Sequence, residues 1–210
     1  MSSTFENLSA EKQQRIVRAA GEEFAEQGYE NAKMNAIAHA ADVSVGSLYK
    51  YFENKQDMYL YVIQHSVAEM DQLLGTLAQS EVDILVKAER IVREIQRFSR
   101  RDQLLMKLYH GATSENDPVL AAAFAGAIET AAARIYRRAI REAQLAGDIR
   151  ADIDADFAAF MLHSLFMMLQ FSYACAYHSE RLKIYAGDGA SHNDDFVVEQ
   201  VLKFIKSALR

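Results

Sequence analysis

The chain has 210 residues, half of them hydrophobic, and a formal net charge of −6. That length allows one large domain or a small one docked on a larger, with ample apolar side chain for a core, while the acidic balance argues against a sequence-blind nucleic-acid binder. Cys175 is the single cysteine, which excludes an intrachain disulfide and a cysteine-based metal knuckle, and the N-terminus MSSTFENLSAEKQQR has no apolar signal core, which points to the cytoplasm.

With one proline and nine glycines the chain has few breakers, and long helical periods fill the space between them. Ser9 is the expected N-cap of a first helix over 10–27, with Ile16, Ala19, Ala20 and Phe24 as its inner stripe and Gly28 as its stop. Two short helices follow, joined by a tight turn. The first spans 34–41, with Ile37, Ala38 and Ala41 apolar. In the turn Asp42-Val43-Ser44, Val43 plugs the angle between the helices and Ser44 caps the next one. In the second, over 45–52, Leu48 and Phe52 are four apart and face inward, leaving Ser47, Tyr49, Lys50 and Tyr51 for the outside. Two tyrosines and a lysine on one exposed turn suit phosphates and base edges.

A fourth helix is expected from a cap at Asn54 past Leu74, with Met58, Tyr61, Val62, His65 and Met70 as its apolar positions. Gly75 and the Gln79-Ser80-Glu81 region weaken the pattern, before segments over 82–98 and 102–109. Ser114 to Pro118 is the clearest break, with Pro118 suited to a first helical turn. A seventh helix over 119–146 carries Arg134, Arg137, Arg138 and Arg141 as a solvated row, with Glu142 the i,i+4 partner of Arg138, and Gly147-Asp148 ends it. The eighth is expected from Asp154 to about His178, and within it 157–177 holds twenty-one residues without a formal charge. That is long enough to span a membrane. His163, Ser164, Gln170 and Ser172 interrupt it and no basic cluster anchors its ends, so a helix buried on two sides in a soluble protein is the better reading. The stretch 186–193 reads as a flexible loop, and Asn193 or Asp194 caps a last helix to Leu209.

Residues 1–57 carry six Lys and Arg against nine Asp and Glu. Phosphate binding depends on local charge, and Lys33, Lys50 and Lys55 fall on the expected DNA side, away from Glu22, Glu23, Glu26 and Glu30. The expectation is modest non-specific affinity and a shallow salt dependence.

The segment from Phe24-Ala25-Glu26-Gln27-Gly28-Tyr29 through Ile37-Ala38, Val43-Ser44, Gly46-Ser47-Leu48-Tyr49 and Tyr51-Phe52 to Lys55 resembles the DNA-binding domain of the tetracycline-repressor (TetR) family. The resemblance covers about the first sixty residues; beyond them only length and all-helical character are similar. It implies an all-α fold of about nine helices, with a three-helix helix-turn-helix head over 1–55 and an effector-binding and dimerisation domain over 56–210. It also implies that Val45, Gly46 and Ser47 read base edges, that Tyr49 and Tyr51 hydrogen-bond phosphates, and that Lys55 holds a phosphate at a helix N-terminus. Lys50 reaches backbone or base. Two positions depart from the family pattern. Lys33 stands where a capping Ser or Thr is usual, so Asn31 or Asn35 takes over the cap and Lys33 supplies a charge; Asp42 stands where Gly is common.

The apolar circumference of the eighth helix needs a cover that a chain of this length cannot supply alone. A second copy provides it, as in the family's four-helix dimers. Met161, Leu165, Met168, Leu169 and Ser172 are the candidate dimer face, with Phe160, His163, Met167 and Phe171 turned inward. Dimerisation would set two recognition helices on a palindromic operator of double-stranded DNA. Phe98, Met106, Tyr109, Phe124, Ile128, Tyr136, Met167 and Phe171 form an aromatic and methionine-rich set, the candidate chamber for a small apolar or aromatic effector.

No cofactor, metal or membrane is expected, and no catalytic activity: the six histidines show no ligand spacing, no phosphate loop or nucleophile elbow is present, and His178-Ser179-Glu180 reads as a solvated helix end. The reading is a ligand-responsive transcriptional regulator, a repressor released from its operator. The alternatives are an activator, a regulator gated by a protein partner, and a helical ligand-binding or stress protein whose helix-turn-helix is structural.

Overall fold

The computed structural model describes residues 3–78 and 83–210, without the side chains of Ser3, Ser66, Glu69, Met70, Asp71, Leu73, Leu77 and Ala78. The expected roles of Met70, of the Gln79-Ser80-Glu81 region and of Val82 therefore lie outside the described residues. Among the described residues the fold is all-α. Its helices are α1 (Ser3–Glu6), α2 (Ala10–Asn31), α3 (Met34–Ala40), α4 (Val45–Tyr51), α5 (Lys55–Ala78), α6 (Ile84–Arg101), α7 (Gln103–Thr113), α8 (Pro118–Leu145), α9 (Ala155–Ala174), α10 (Ala176–Ala186) and α11 (Asp194–Leu209), with a 3₁₀ turn at Asp188–His192.

The helix ends follow local chemistry. Ser9 Oγ accepts from Lys12 N, Ser44 Oγ from Ser47 N, and Asn54 Oδ1 from Asp57 N, each satisfying a backbone donor that the helix leaves open. Asp83, Asp154 and Asn193 cap α6, α9 and α11 in the same way. Gly28 takes φ +73 and kinks α2, where a side chain would be strained, and helical bonding resumes for one short turn to Asn31.

Three elements depart from the expectation. The four-residue α1 is unannounced by any periodicity, yet it drives Phe5 into complete burial. The apolar run that reads as one helix to His178 breaks at Cys175, whose backbone is extended (φ −112, ψ 127). The stretch read as a loop contains the last residue of α10, Ala186, and the 3₁₀ turn.

The chain divides into two compact units, Met1–Ala68 with Lys107–Ile128, and Glu69–Met106 with Glu129–Arg210. In the first, α2, α3 and α4 close over Ile16, Ala20, Phe24, Ile37, Leu48 and Phe52. A second aromatic layer joins Phe24, Tyr29, Tyr59 and Phe124, where the Tyr59 ring lies 4.8 Å from both phenylalanines and its hydroxyl donates to the Leu108 carbonyl at 3.4 Å. Burial, with the nearby Glu115 and Tyr29 adding, pushes the Tyr59 phenol far above its ordinary range, so it stays a neutral donor.

The second unit is built on Val92, Ile95, Ile140, Phe166, Val198 and Ile205 from α6, α8, α9 and α11. A polar clasp ties α11 to α6. Arg100 makes paired bonds of 2.6 Å to Asp194, Arg93 holds Asp195 at 2.9 Å, and the Gln96 amide donates to the Asp194 carbonyl and the Tyr173 hydroxyl. The arginine row of α8 is solvated as expected, with Arg138 on Glu142 at 2.7 Å and Arg141 on Asp156 at 2.6 Å.

Two helices, Pro118–Ala146 and Ala155–Ala174, are long and apolar enough to cross a membrane by length and composition. α9 is not buried on two sides within this chain. It packs through Ala158, Ala159, Leu162, Phe166 and Leu169, and leaves Phe157, Phe160 and Met161 exposed.

Candidate nucleic-acid interface

The helix-turn-helix is assembled by packing from below. Ile37, Ala38 and Ala41 of the α3 end and Leu48 of α4 are buried to within one per cent, which fixes the angle between the two helices. Asp42 sits in the left-handed region (φ 51), the conformation expected at a position where glycine is common and tolerated by aspartate better than by most residues. Val43 is half-buried in the angle, and its N–H donates to the Ala38 carbonyl at 3.0 Å. Arg15 of α2 locks the same corner by donating to the Ala41 carbonyl at 2.8 Å.

This packing leaves the first turn and outer face of α4 uncovered. Tyr49 is 53% exposed, Lys50 and Gly46 are exposed, and Val45 and Ser47 are half-buried. The hydroxyls of Ser44 and Ser47 lie 2.8 Å apart at the helix start. A Cβ on Gly46 would meet nothing nearer than Ser44 Oγ at 4.0 Å, so the absence of a side chain there is not demanded by the fold. Lys33 and Asn35 are exposed at the start of α3.

Three expectations about individual side chains are corrected. Tyr51 does not stand outside: it is 7% exposed, with its ring 5.8 Å from that of Phe5. The tiny α1 supplies the cover, which periodicity within α4 cannot reveal. The Lys55 ammonium folds back on the end of α2, donating to the Glu30 carbonyl at 2.8 Å and lying 4.8 Å from the centre of the Tyr29 ring. Open carbonyls at a kinked helix end are strong acceptors for a cation. Neither Asn31 nor Asn35 caps α3, whose N-cap Lys33 has no side-chain cap. Instead the Glu23 carboxylate of α2 accepts from Lys33 N at 2.9 Å, a bond across the head that local sequence does not predict.

The effector set is divided between the two units. Tyr109, Phe124 and Ile128 are buried in the first unit. In the second, Phe98, Met106 and Leu105 form a small buried cluster with Ala174 against it, Phe171 is 2% exposed, and Met167 is half-buried. Gln170 donates its amide to the Met106 sulfur at 3.0 Å, a weak acceptor in an otherwise apolar setting. Ser99, on the same helix as Phe98, is wholly buried with its hydroxyl unpaired.

Of the dimer candidates, Met161 is 54% exposed and Leu165 and Met168 are half-buried, whereas Leu169 and Ser172 belong to this chain's own interior at 8% each. Phe160, expected inside, is 62% exposed, and His163 is half-buried with Nδ1 3.1 Å from Glu129. The uncovered face of α9 is therefore set by Phe157, Phe160, Met161, Leu165 and Met168. α11 presents a companion stripe at Phe196 (40%) and Phe204 (64%), which the sequence reading passed over.

Comparison with known proteins agrees with this geometry. The profile of the bacterial regulatory proteins of the tetR family matches residues 16–62. An HTH-type transcriptional regulator of Staphylococcus aureus is 42% identical over 57 residues, 27% of this chain and 31% of that protein. YhgD of Bacillus subtilis, an HTH-type transcriptional regulator, is 24% identical over 102 residues, 49% of this chain and 53% of its own length. The chain thus spans about a third to a half of these relatives. Among solved structures, the regulator FadR of B. subtilis in complex with stearoyl-CoA shares the fold with a TM-score of 0.75 at 17% identity, over 94% of this chain and 99% of that one. A TetR family regulator of Chloroflexus aurantiacus does so at 0.70 and 24% identity, over 100% of this chain and 98% of its own. Residues 16–62 thus match the model of the tetR family of bacterial regulatory proteins, and the whole length of the chain shares the fold of these solved regulators.

Proposed function

We propose that the protein is a dimeric, ligand-responsive DNA-binding transcriptional regulator of the cytoplasm, acting as a repressor released from a palindromic operator by a small apolar effector. The observation that carries the reading is the α4 surface: an exposed tyrosine and lysine beside a glycine whose missing side chain the fold does not need. A phosphate backbone accounts for Tyr49 and Lys50, and close approach of base edges accounts for Gly46. In this reading Val45 and Ser47 meet bases, Ser44 holds the helix start, and Lys33 and Asn35 flank the phosphates. Tyr51 and Lys55 act from behind, as packing and as a clamp on α2. Their burial and bonds favour support over contact.

The uncovered residues on α9 and α11 support a second copy as partner, since bare phenylalanines and methionines on two core helices of one unit are costly in water. Family members act as dimers and bind small molecules, and FadR with stearoyl-CoA supports an apolar effector here. Release is a population shift. An effector that prefers the form with wrongly spaced heads by about four orders of magnitude, roughly 5.5 kcal/mol over the dimer, empties the operator.

The test is selection of random duplex DNA on the purified protein at moderate salt, with light scattering on the same sample. Enrichment of a palindrome by a dimer is the expected result. A folded dimer that enriches nothing, with or without apolar ligands, overturns it in favour of a ligand-binding protein with a structural helix-turn-helix.

A further inference from the structure

Among the described residues of α10 none is buried, although the helix runs for 11 residues from Ala176 to Ala186. A helix of that length is marginal in water by itself. Local chemistry adds little, since its N-cap, Cys175, makes no side-chain cap bond. Its inner side holds half-buried His178 and Leu182, with the His178 ring 5.5 Å from that of Phe171.

The opposite side carries Tyr177, Arg181, Ile184 and Tyr185, at i, i+4, i+7 and i+8 and so on one face. Tyr177 is 76% exposed, Ile184 80% and Tyr185 82%. A contiguous apolar row left this bare marks a contact surface. A helix that lies on an anionic lipid surface needs a polar face rich in Lys and Arg. α10 has only Arg181 and Lys183; Lys183 is held by Glu180 at 2.6 Å, and the Arg181 guanidinium lies 5.4 Å from the centre of the Tyr185 ring.

Area points to the occupant. A specific interface buries roughly 800 Å² on each partner. The large exposed side chains of α9 and α11 offer on the order of 500 Å² and fall short, while those of α10 add on the order of 400 Å². α10 follows α9 after one extended residue, Cys175, and packs beside it within the same unit.

We propose that α10 is a dimerisation arm, a helix whose outer row packs on a second copy of this chain and which that contact orders. The inference rests on the dimer reading above and carries it beyond the α9 and α11 face.

The test is hydrogen exchange on the full chain, with dimer dissociation followed by analytical ultracentrifugation. Wild type is expected to be a dimer whose 180–186 amides exchange about tenfold or more slowly than in the monomer made by Met161→Lys with Phe204→Lys, while α6 stays protected in both. Ile184→Ser with Tyr185→Ser should raise the dissociation constant about a hundredfold or more, because two large side chains leave the interface. Tyr185→Ala alone, the milder change, should raise it about tenfold. A wild-type dimer that both α10 variants leave unchanged, and that the α9 and α11 variant splits, overturns the arm and keeps the dimer. Equal α10 protection in monomer and dimer overturns the arm as well. Wild type that stays monomeric at every concentration overturns the arm and the dimer reading together.

Discussion

Tyr49, Gly46 and Asp42 show how single side chains separate folding from binding. Tyr49 is 53% exposed, so Tyr49→Phe removes a hydroxyl that packing does not use. The expected outcome is an unchanged melting temperature and operator affinity lower by about five- to tenfold, one hydrogen bond to a phosphate, measured by fluorescence anisotropy. Gly46→Ala is a sharper probe. Its backbone is ordinary helix and the added Cβ finds open space, so stability should hold or rise by up to about 1 kcal/mol. Operator affinity should fall all the same, since the methyl then occupies the gap to the DNA. Asp42 tests the turn itself. At φ 51 a β-branched residue is strained, and Asp42→Val should cost about 1–2 kcal/mol in urea unfolding, while Asp42→Gly should be neutral or stabilising.

Among elements, α1 is the smallest and has a large effect for its size. Its Phe5 ring lies 4.9 Å from Phe52, 5.3 Å from Tyr61 and 5.8 Å from Tyr51, and covers the back of the recognition helix. Phe5→Ala should destabilise the head by about 3 kcal/mol, read by urea unfolding, and weaken DNA binding only through that loss. Nothing in the sequence marked it, because a lone phenylalanine among polar residues has no period. The α9–α10 break at Cys175 was equally hidden: no glycine or proline stands there, and the apolar run continues across it. Polar links between elements are the third kind of hidden feature. Arg100 holds the Asp194 carboxyl below its usual range, chiefly through the direct hydrogen bond. A depressed carboxylate contributes stability that is present above its unfolded value of about 3.9 and is lost as pH falls through the lower folded value. Asp194→Asn should therefore melt below wild type at neutral pH, and the two should converge in thermal scans as the pH falls through the lowered folded value.

At the scale of the whole molecule, the sorting of α9 residues into core and surface decides what a mutation does. Met161 and Phe204 are exposed on two core helices of the second unit, so Met161→Lys with Phe204→Lys should yield a folded monomer by light scattering and abolish cooperative binding to a palindrome. Leu169→Ala removes core at a residue 8% exposed, and should lower stability by about 2–5 kcal/mol in chemical unfolding without acting first on assembly. The chain is acidic, net −6, so a phosphate-binding surface requires carboxylates turned away from it. Glu23 shows one way this is done: its charge is spent on the backbone of Lys33 at the entry to α3.

Sequence by itself determined the helices with a capping residue and an apolar period, because both signals are local: Ser9, Ser44 and Asn54 each cap the helix they were read to cap. It also determined the helix-turn-helix, while the left-handed backbone of Asp42, at a position where the resemblance has glycine, came from the structure. Tertiary structure alone decided which outward-reading side chains stay outward. Tyr51 is covered by a helix more than forty residues away, Lys55 is drawn to carbonyls of α2, and Leu169 and Ser172 are claimed by the chain's own core. Such outcomes depend on contacts between distant segments, and a period read along one helix carries no record of what packs across from it.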